Sequence, residues 1–448
     1  MPEPRIIPRS AHPISRHDID REALKVMYKL RDAGFSAYLV GGGVRDIFLG
    51  KKPKDFDIST DARPGQLRKL FNNSRIIGNR FRLVQVLFRG GKIVEVSTLR
   101  CKSEYDINGE NEVLQSNNTF GSLEDDAFRR DLTINALFYE IENHTVIDYC
   151  GGVEDIQKRI IRIVGDPERR IIRDPVRIMR AIRHASRNDF AIEDITWQAI
   201  LQHSADLRLC PISRIRDEVF KDFRSGSLAA WARIAIESRI FFEIFPFYED
   251  LLLPATDPPQ DPQTPKVTPA LEFLLEIFQV IDRLQNDGHK LPDHLLIALF
   301  LIPWAQEKMG LMQLDLSGKA HFTFSRQMRY ELNLNFNRLS IKRLDKENIT
   351  SLLVNLPTFI KFSEKSKWPG WFLRKSYFNT GLEFYEIYRE ATGGDMVTSL
   401  NSIRKPEPEH VPDHEPVHVR KKSRSSRHAG RTPAFSNTAG GIFGLKRK

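Results

Sequence analysis

The stretch G-G-G-V-R-D-I-F-L-G-K-K-P-K-D-F-D, Gly41 to Asp57, decides how the first part of this chain folds. It follows A-Y-L-V, an apolar run that reads as a short buried strand; Gly41, Gly42 and Gly43 then turn the chain into a helix opening near Val44. Glycine backbone lets N–H groups approach a phosphate, the helix start adds a favourable dipole, and Arg45 offers a charged fork to phosphate oxygens. At the far end stand Asp55 and Asp57. If D-F-D-I-S-T is a strand, both carboxylates project from one face while Phe56 and Ile58 turn to the core. Adjacent carboxylates repel unless a cation lies between them. Oxygen-only donors with open positions suit Mg²⁺, which takes substrate phosphate oxygens as further ligands. Taken singly, a D-x-D or a glycine turn is more often a surface turn than a site. In this order they describe a nucleoside triphosphate held against a metal.

The flanking sequence supplies a domain around these residues. D-I-D-R-E-A-L-K-V-M-Y-K-L-R-D-A-G predicts a helix capped by Asp18 or Asp20 and stopped at Gly34. L-V-Q-V-L-F, K-I-V-E-V-S-T and H-T-V-I-D-Y alternate as strands, which predicts an α/β or α+β domain, here expected as α/β with a mixed sheet. Glu95 stands between two valines in the second of these, a third carboxylate for the same surface. From about Gly151 the apolar period becomes helical, as in R-D-P-V-R-I-M-R-A-I-R-H-A and L-E-F-L-L-E-I-F-Q-V-I-D-R-L. P-A-T-D-P-P-Q-D-P-Q-T-P reads as a proline-rich loop, and the polar segment Ser103–Ser122 as a mobile loop beside the site.

Composition narrows the class. The 448 residues are too many for one core, and 41% hydrophobic with 28% charged is ordinary globular balance. No run of eighteen apolar residues predicts a membrane span, and no apolar leader precedes the first helix. Cys101, Cys150 and Cys210 lack zinc or disulfide spacing, so a reducing cytoplasmic setting is expected. The net charge of +10 is concentrated in Arg420–Lys448, with nine Lys or Arg and no acid. Such a tail predicts disorder and polyanion binding, most often of nucleic acid, with Arg420, Lys421, Lys422, Arg424, Arg427 and Arg431 as the contacts. His410, His414 and His418 are spaced by four, but Pro412 and Pro416 prevent the helix that would align them on a metal.

Several motifs in order resemble one family. V-G-G-G-V-R-D-x-x-L-G-x-x-x-x-D-F-D is followed by E-V-S-T-L-R, R-R-D-L-T-I-N-A-L-F, D-Y-C-G-G-V-E-D-I, I-R-I-V-G-D-P-E-R-R and R-D-P-V-R-I-M-R-A-I-R. This series is similar to the class II nucleotidyltransferases, the polymerase-β-like enzymes that include bacterial poly(A) polymerases and tRNA CCA-adding enzymes. The resemblance implies an α/β catalytic head followed by an all-α neck and body and a disordered basic tail. The expected boundaries are 1–17 for an N-terminal extension, 18–150 for the head, 151–225 for a neck that binds the nucleotide base and RNA, 226–400 for a body that binds RNA and 401–448 for the tail. It implies that Asp55, Asp57 and Glu95 are catalytic, with Asp55 and Asp57 on Mg²⁺ or, in its place, Mn²⁺. Gly42, Gly43, Arg45, Arg130, Asp131 and Asn135 would hold the sugar and phosphates of ATP. Asp174 and Arg177 would read the base, as in the family's E-D-x-x-R, although Arg173 stands where the family has Glu. Asp131 and Asn135, i and i+4 on a helix, would share one face toward the ribose.

The implied activity is template-independent addition of poly(A) to RNA 3′ ends, in mRNA processing and RNA turnover, by a monomer that also meets RNA-decay proteins. I-I-G-N-R-F-R-L-V-Q-V, Ile76 to Val86, resembles the poly(A) polymerase form of that segment rather than the CCA-adding form. Two alternatives stand beside this reading: a tRNA CCA- or A-adding enzyme, and a catalytically silent RNA-binding protein.

Overall fold

The computed structural model describes residues 3–78, 82–101, 120–253, 268–313, 318–336, 339–364 and 368–398. The segments 79–81 and 103–119, the prolines of 254–267 and the whole basic tail, with its histidines and its RNA-contact candidates, lie outside the described residues. Residues Met1–Ile403 make one compact unit, separate from Arg404–Lys448.

An eight-stranded mixed sheet organises the head. Its strands are β1 (Arg5–Ile7), β2 (Tyr38–Val40), β3 (Asp57–Thr60), β4 (Ser74–Ile77), β5 (Leu83–Leu87), β6 (Ile93–Thr98), β7 (Leu137–Glu140) and β8 (Thr145–Asp148). They lie in the order β1-β8-β7-β2-β3-β6-β5-β4. Only β3 and β6 run parallel; the other neighbours are antiparallel. Alternation then divides the side chains between two faces. Leu39, Ile58, Val84, Val96, Tyr139 and Val146 enter the main core. Helix α1 (Arg21–Asp32) covers that core with Ala23, Val26, Met27 and Leu30, the i, i+3, i+4, i+7 pattern of an amphipathic helix. Asp20 caps it by accepting from the Glu22 and Ala23 N–H groups at 2.9 and 3.3 Å.

The opposite face is only partly covered. Val40, Leu99, Ala127 and Phe138 form a small second core there. Helix α2 (Gly42–Phe48) leaves the end of β2, α3 (Pro64–Leu70) follows β3, and α4 (Leu123–Phe128) and α5 (Gly152–Lys158) complete the head. The uncovered part of this face carries the candidate site.

The neck holds α6 (Pro167–Arg173), α7 (Val176–Asn188), α8 (Asp194–His203) and α9 (Ile212–Phe223). It is not purely helical, because Ile160–Ile161 and Ala191–Ile192 pair as a short parallel ladder. Helices account for the body from Leu228–Glu237 to Phe378–Ala391, around an aromatic core in which the Phe245 and Phe300 rings meet tilted by 52°, 4.6 Å between centroids. No helix among the described residues is long and apolar enough to cross a membrane.

Candidate active site

The strand-to-helix turn is set by Gly41, whose φ of 67° and ψ of −132° suit glycine alone. A Cβ there would lie 3.5 Å from Arg130 Nη1, so the turn and the Arg130 guanidinium are in contact range. Gly43 faces the aspartate segment: a Cβ on it would sit 3.5 Å from the Asp55 carbonyl oxygen. The glycines therefore bring three distant parts of the sequence, around residues 41, 55 and 130, to one place.

Strand β3 begins at Asp57, so Asp55 lies in the run-in to the strand and not on it. Phe56 packs against the core and Ile58 is fully buried, which leaves Asp57 on the open face. In the parallel register Asp57 sits beside Glu95, and Glu95 sits beside Gln85 on β5. Gln85 Nε2 donates to Glu95 Oε1 at 2.8 Å, and Arg75 Nε donates to Gln85 Oε1 at 2.9 Å. A polar row thus crosses β4, β5, β6 and β3 and ends at Asp57. One step along, Ser59 and Ser97 occupy the same face, their hydroxyls 3.1 Å apart.

Asp57 is exposed by surface area, yet the protein packed around its carboxyl desolvates it. That burial, with Glu95 and Asp55 adding repulsion against the opposing pull of Arg130, pushes its pKa up to about 6. This is the signature of anionic oxygens short of a cation. Among the described residues no three His, Cys, Asp or Glu side chains converge into a cage. The donor set fits a hard ion that takes one or two carboxylates and completes its shell with water or phosphate oxygens, as Mg²⁺ does.

Arg130 is held over this face. Its Nη2 donates to Asp126 Oδ2 at 2.8 Å and to Ser59 Oγ at 3.4 Å, and its guanidinium lies 5.0 Å from the Phe138 ring centroid. Asp126 also accepts from Arg129 Nε at 2.7 Å. Burial would raise the fully buried Asp126 carboxyl, but Arg130 and Arg129 override it and hold it below its ordinary value. Asp126 was missed in the sequence, although its i+3 and i+4 spacing to the two arginines on a helix was visible. Ser59 and Ser97 were equally available, each two residues beyond a singled-out carboxylate.

Arg45 is placed differently from the expectation. It is only 3% exposed, with Nε and Nη2 on Asp46 Oδ1 at 3.0 and 2.7 Å and Nη1 on Asn135 Oδ1 at 2.5 Å. To reach a phosphate it would have to release Asp46. Asn135 and Asp131 do come together, but neither is on an α-helix: Asn135 ends a single 3₁₀ turn, Thr133–Asn135, and Asp131 precedes that turn. The following Leu137–Glu140 is β7, which forces the chain to straighten. Asn135 Nδ2 donates to Asp131 Oδ1 at 3.3 Å, and both residues are buried.

Helix α7 docks on this pair. Arg180 Nη2 lies 2.9 Å from Asp131 Oδ2, while the His184 ring nitrogens lie 3.4 Å from Arg45 Nη1 and 3.5 Å from Asn135 Nδ2. Burial raises the Asp131 carboxyl, but Arg180 foremost overrides it and holds it well below the carboxylate range. Burial, reinforced by Arg45, keeps His184 neutral. On this face of α7, His184 is packed against the head, while the Arg180 side chain stays 45% exposed and reaches Asp131 from the solvent side.

Asp174 and Arg177 flank the start of α7, with Pro175 as its first residue outside the helix. Asp174 is forked by Arg214 of α9, at 2.9 and 3.0 Å to its two oxygens. Arg177 Nη1 and Arg170 Nη2 both donate to the Arg130 carbonyl oxygen, at 3.1 and 2.6 Å. Burial, then the neighbouring Arg170, pushes Arg177 down to about 10. Its buried Nε has no hydrogen-bond partner among the described residues. Guanidinium groups in excess, one with an unused donor, suit an anionic or acceptor-rich ligand. Arg173, which stands where the family has Glu, ends α6 on the surface, on a different helix from Arg177.

Comparison with known proteins adds a lineage to this geometry. The family described as Poly A polymerase head domain matches residues 37–162, and the one described as Probable RNA and SrmB- binding site of polymerase A matches residues 189–252. The chain is 39% identical over 320 residues to Poly(A) polymerase I of Escherichia coli O6:H1, covering 70% of this chain and 66% of that protein. It is 46% identical over 252 residues to Poly(A) polymerase I of Salmonella typhi, covering 55% and 54%. It is also 41% identical over 205 residues to the CCA-adding enzyme of Lactobacillus helveticus, covering 46% and 50%. Among solved structures, the Bacillus stearothermophilus CCA-adding enzyme in complex with CTP shares the fold, with a TM-score of 0.59 at 24% identity over 84% of this chain and 78% of that one.

Proposed function

Because the chain belongs to the class II nucleotidyltransferases, the family of bacterial poly(A) polymerases and CCA-adding enzymes, we propose that it adds adenylate from ATP to RNA 3′ ends. The observation that carries this reading is the register of Asp57 beside Glu95, on the open sheet face next to the Gly41 turn and Arg130. In the reaction the RNA 3′-oxygen forms a bond to the α-phosphorus, the bond to the bridging oxygen of the β-phosphate breaks, and pyrophosphate leaves with that electron pair.

Asp55 and Asp57 would hold Mg²⁺, whose Lewis acidity lowers the pKa of the attacking hydroxyl and offsets charge on the phosphate oxygens. Glu95, fixed by Gln85, keeps the local potential negative enough to retain a cation. The bare backbone of Gly41–Gly43 leaves room for the triphosphate, with Arg130 alongside as counter-charge. Asp174, oriented by Arg214, and Arg177 present a carboxylate and a guanidinium to the base edge. Arg214 supplies an orienting contact to Asp174 in a chain that has Arg173 where the family has Glu.

Poly(A) addition is favoured over CCA addition by the extent of similarity: the poly(A) polymerase I relatives named above align with 55–70% of this chain, against 46% for the CCA-adding relative. The test offers generic RNA and tRNA lacking its 3′ end, with each labelled nucleotide in turn. Long products with ATP alone support the proposal. CTP incorporated ahead of ATP on tRNA assigns the chain to CCA addition, and no pyrophosphate release with any substrate leaves it an RNA-binding protein.

A further inference from the structure

We propose that helix Gly318–Asn335, with the groove along its flank, is a docking surface for single-stranded RNA; this deepens the reading of the chain as an enzyme acting on RNA. The helix has two apolar stripes where a surface helix ordinarily has one. Phe324, Met328 and Leu332 are buried against the body and account for its attachment. Phe322, Tyr330 and Leu334 form a second stripe on the outside, 64%, 65% and 63% exposed. The i+4 spacing puts Arg326 on that same outer line, between the two rings.

The chemistry of the surroundings selects the occupant. Residues 318–347 contain seven Lys or Arg and three Asp or Glu. Glu347 is engaged by Arg343, whose Nε donates to it at 3.0 Å. Arg326 has no side-chain partner of opposite charge among the described residues. Beside the stripe lies an open groove of about 360 Å³, lined by Ser325, Arg329, Thr350, Ser351 and Lys375 among others; its one carboxylate is that of Glu347, which Arg343 pairs. A protein partner would ask for a continuous apolar ridge, whereas here a cation interrupts the ridge and cations and hydroxyls line the groove. Rings with interleaved arginines beside a basic groove are what a single strand requires: bases stack on the rings, and the backbone follows the positive charge. Stacking of this kind is tolerant of sequence, which suits an enzyme meeting many RNA ends.

The test uses the full chain and labelled single-stranded RNA, with binding read by anisotropy in the absence of nucleotide. Phe322→Ala/Tyr330→Ala is expected to weaken binding about tenfold per ring, equally on purine and pyrimidine strands. Phe322→Trp/Tyr330→Trp should bind at least as well as the parent. Arg326→Gln/Arg329→Gln should flatten the log–log salt dependence by about 1.4, the value for two phosphates on a single strand. Melting curves of all three variants should match the parent. Parental RNA affinity in the alanine pair overturns the proposal. So does a change in that pair's self-association, read by light scattering, without a change in RNA affinity, because it assigns the stripe to a protein contact. Binding is measured without catalysis, so failure here leaves nucleotidyl transfer standing, and loss of transfer in an Asp57 variant leaves this surface standing.

Discussion

Asp57 carries a charge that the folded chain, without a cation, disfavours. Its pKa stands at about 6 against an ordinary 3.8, so the folded state holds the proton more tightly than the unfolded state. The repulsion is absent below the ordinary value and fully present above 6, and stability is lost as pH rises through that window. In metal-free buffer at pH 7, Asp57→Asn should therefore stabilise the protein, by up to ~1 kcal/mol once solvent screening of this exposed side chain is allowed for. Urea titrations at pH 3.5 and pH 7 check this, with no difference between the two proteins expected at the lower pH. Saturating Mg²⁺ should abolish the gain at pH 7 while leaving the variant without nucleotidyl transfer. Gln85 gives a second expectation at this scale. It holds the Glu95 carboxylate through one hydrogen bond and is itself held by Arg75. Losing an outer partner of a metal-site carboxylate typically costs 10–100-fold in metal affinity or activity. Gln85→Ala should shift the Mg²⁺ activation curve by about that factor, with little change in KM for ATP.

Helix α7 is clamped on both sides by buried arginines. On one side Arg45 of α2 and Asp131 meet His184 and Arg180, which fixes the neck to the head. On the other, Arg183 Nε donates to Asp222 Oδ1 of α9 at 2.5 Å, its Nη2 to the Glu218 carbonyl at 3.0 Å, and its Nη1 to the Glu218 carboxylate. Burial lowers the Arg183 pKa, but the two carboxylates override it and keep the guanidinium charged. Arg183→Met strands the buried Asp222 carboxylate and leaves Glu218 to Lys221, whose Nζ donates to it at 2.9 Å, and should cost about 3–5 kcal/mol in chemical denaturation. Replacing Glu218 and Asp222 with apolar residues as well should recover most of that loss. These clamps were the least legible part of the sequence. The periodicity of α7 was plain, and its basic face was visible, but nothing local says which carboxylates meet that face from over 35 residues away. Strands that alternate cleanly, such as β5 and β6, could be read directly. β1 and β4 are three- and four-residue strands with little pattern, and β7 lay hidden inside R-R-D-L-T-I-N-A-L-F, where the i, i+4 spacing of Asp131 and Asn135 suggested a helix. That spacing did bring the two side chains together, because the turn Thr133–Asn135 carries Asn135 back to Asp131 just ahead of it.

For the whole molecule, the distribution of charge bears on how RNA is captured before chemistry begins. Nine of the basic residues lie in Arg420–Lys448, beyond the compact unit that ends at Ile403. The remaining sequence is nearly neutral, so long-range attraction to a polyanion falls mainly to the tail. The rings of helix Gly318–Asn335, by contrast, offer stacking, which acts at contact and depends little on salt; on that surface only Arg326 and Arg329 add to the salt slope. The two contributions are therefore separable by ionic strength. Removing Arg420–Lys448 should reduce the slope of log affinity against log salt, by about 6 at most if every charge meets a phosphate at 0.7 each. It should also slow association far more than it speeds dissociation, because screened long-range attraction governs encounter. Stopped-flow binding at low and physiological salt checks both parts. At high salt the truncated and full chains should converge in affinity, whereas the Phe322→Ala/Tyr330→Ala pair should remain weaker than the parent at every salt concentration. If truncation leaves the slope unchanged, the tail does not contact the RNA backbone, and the positive charge that draws RNA in must then lie on the folded unit.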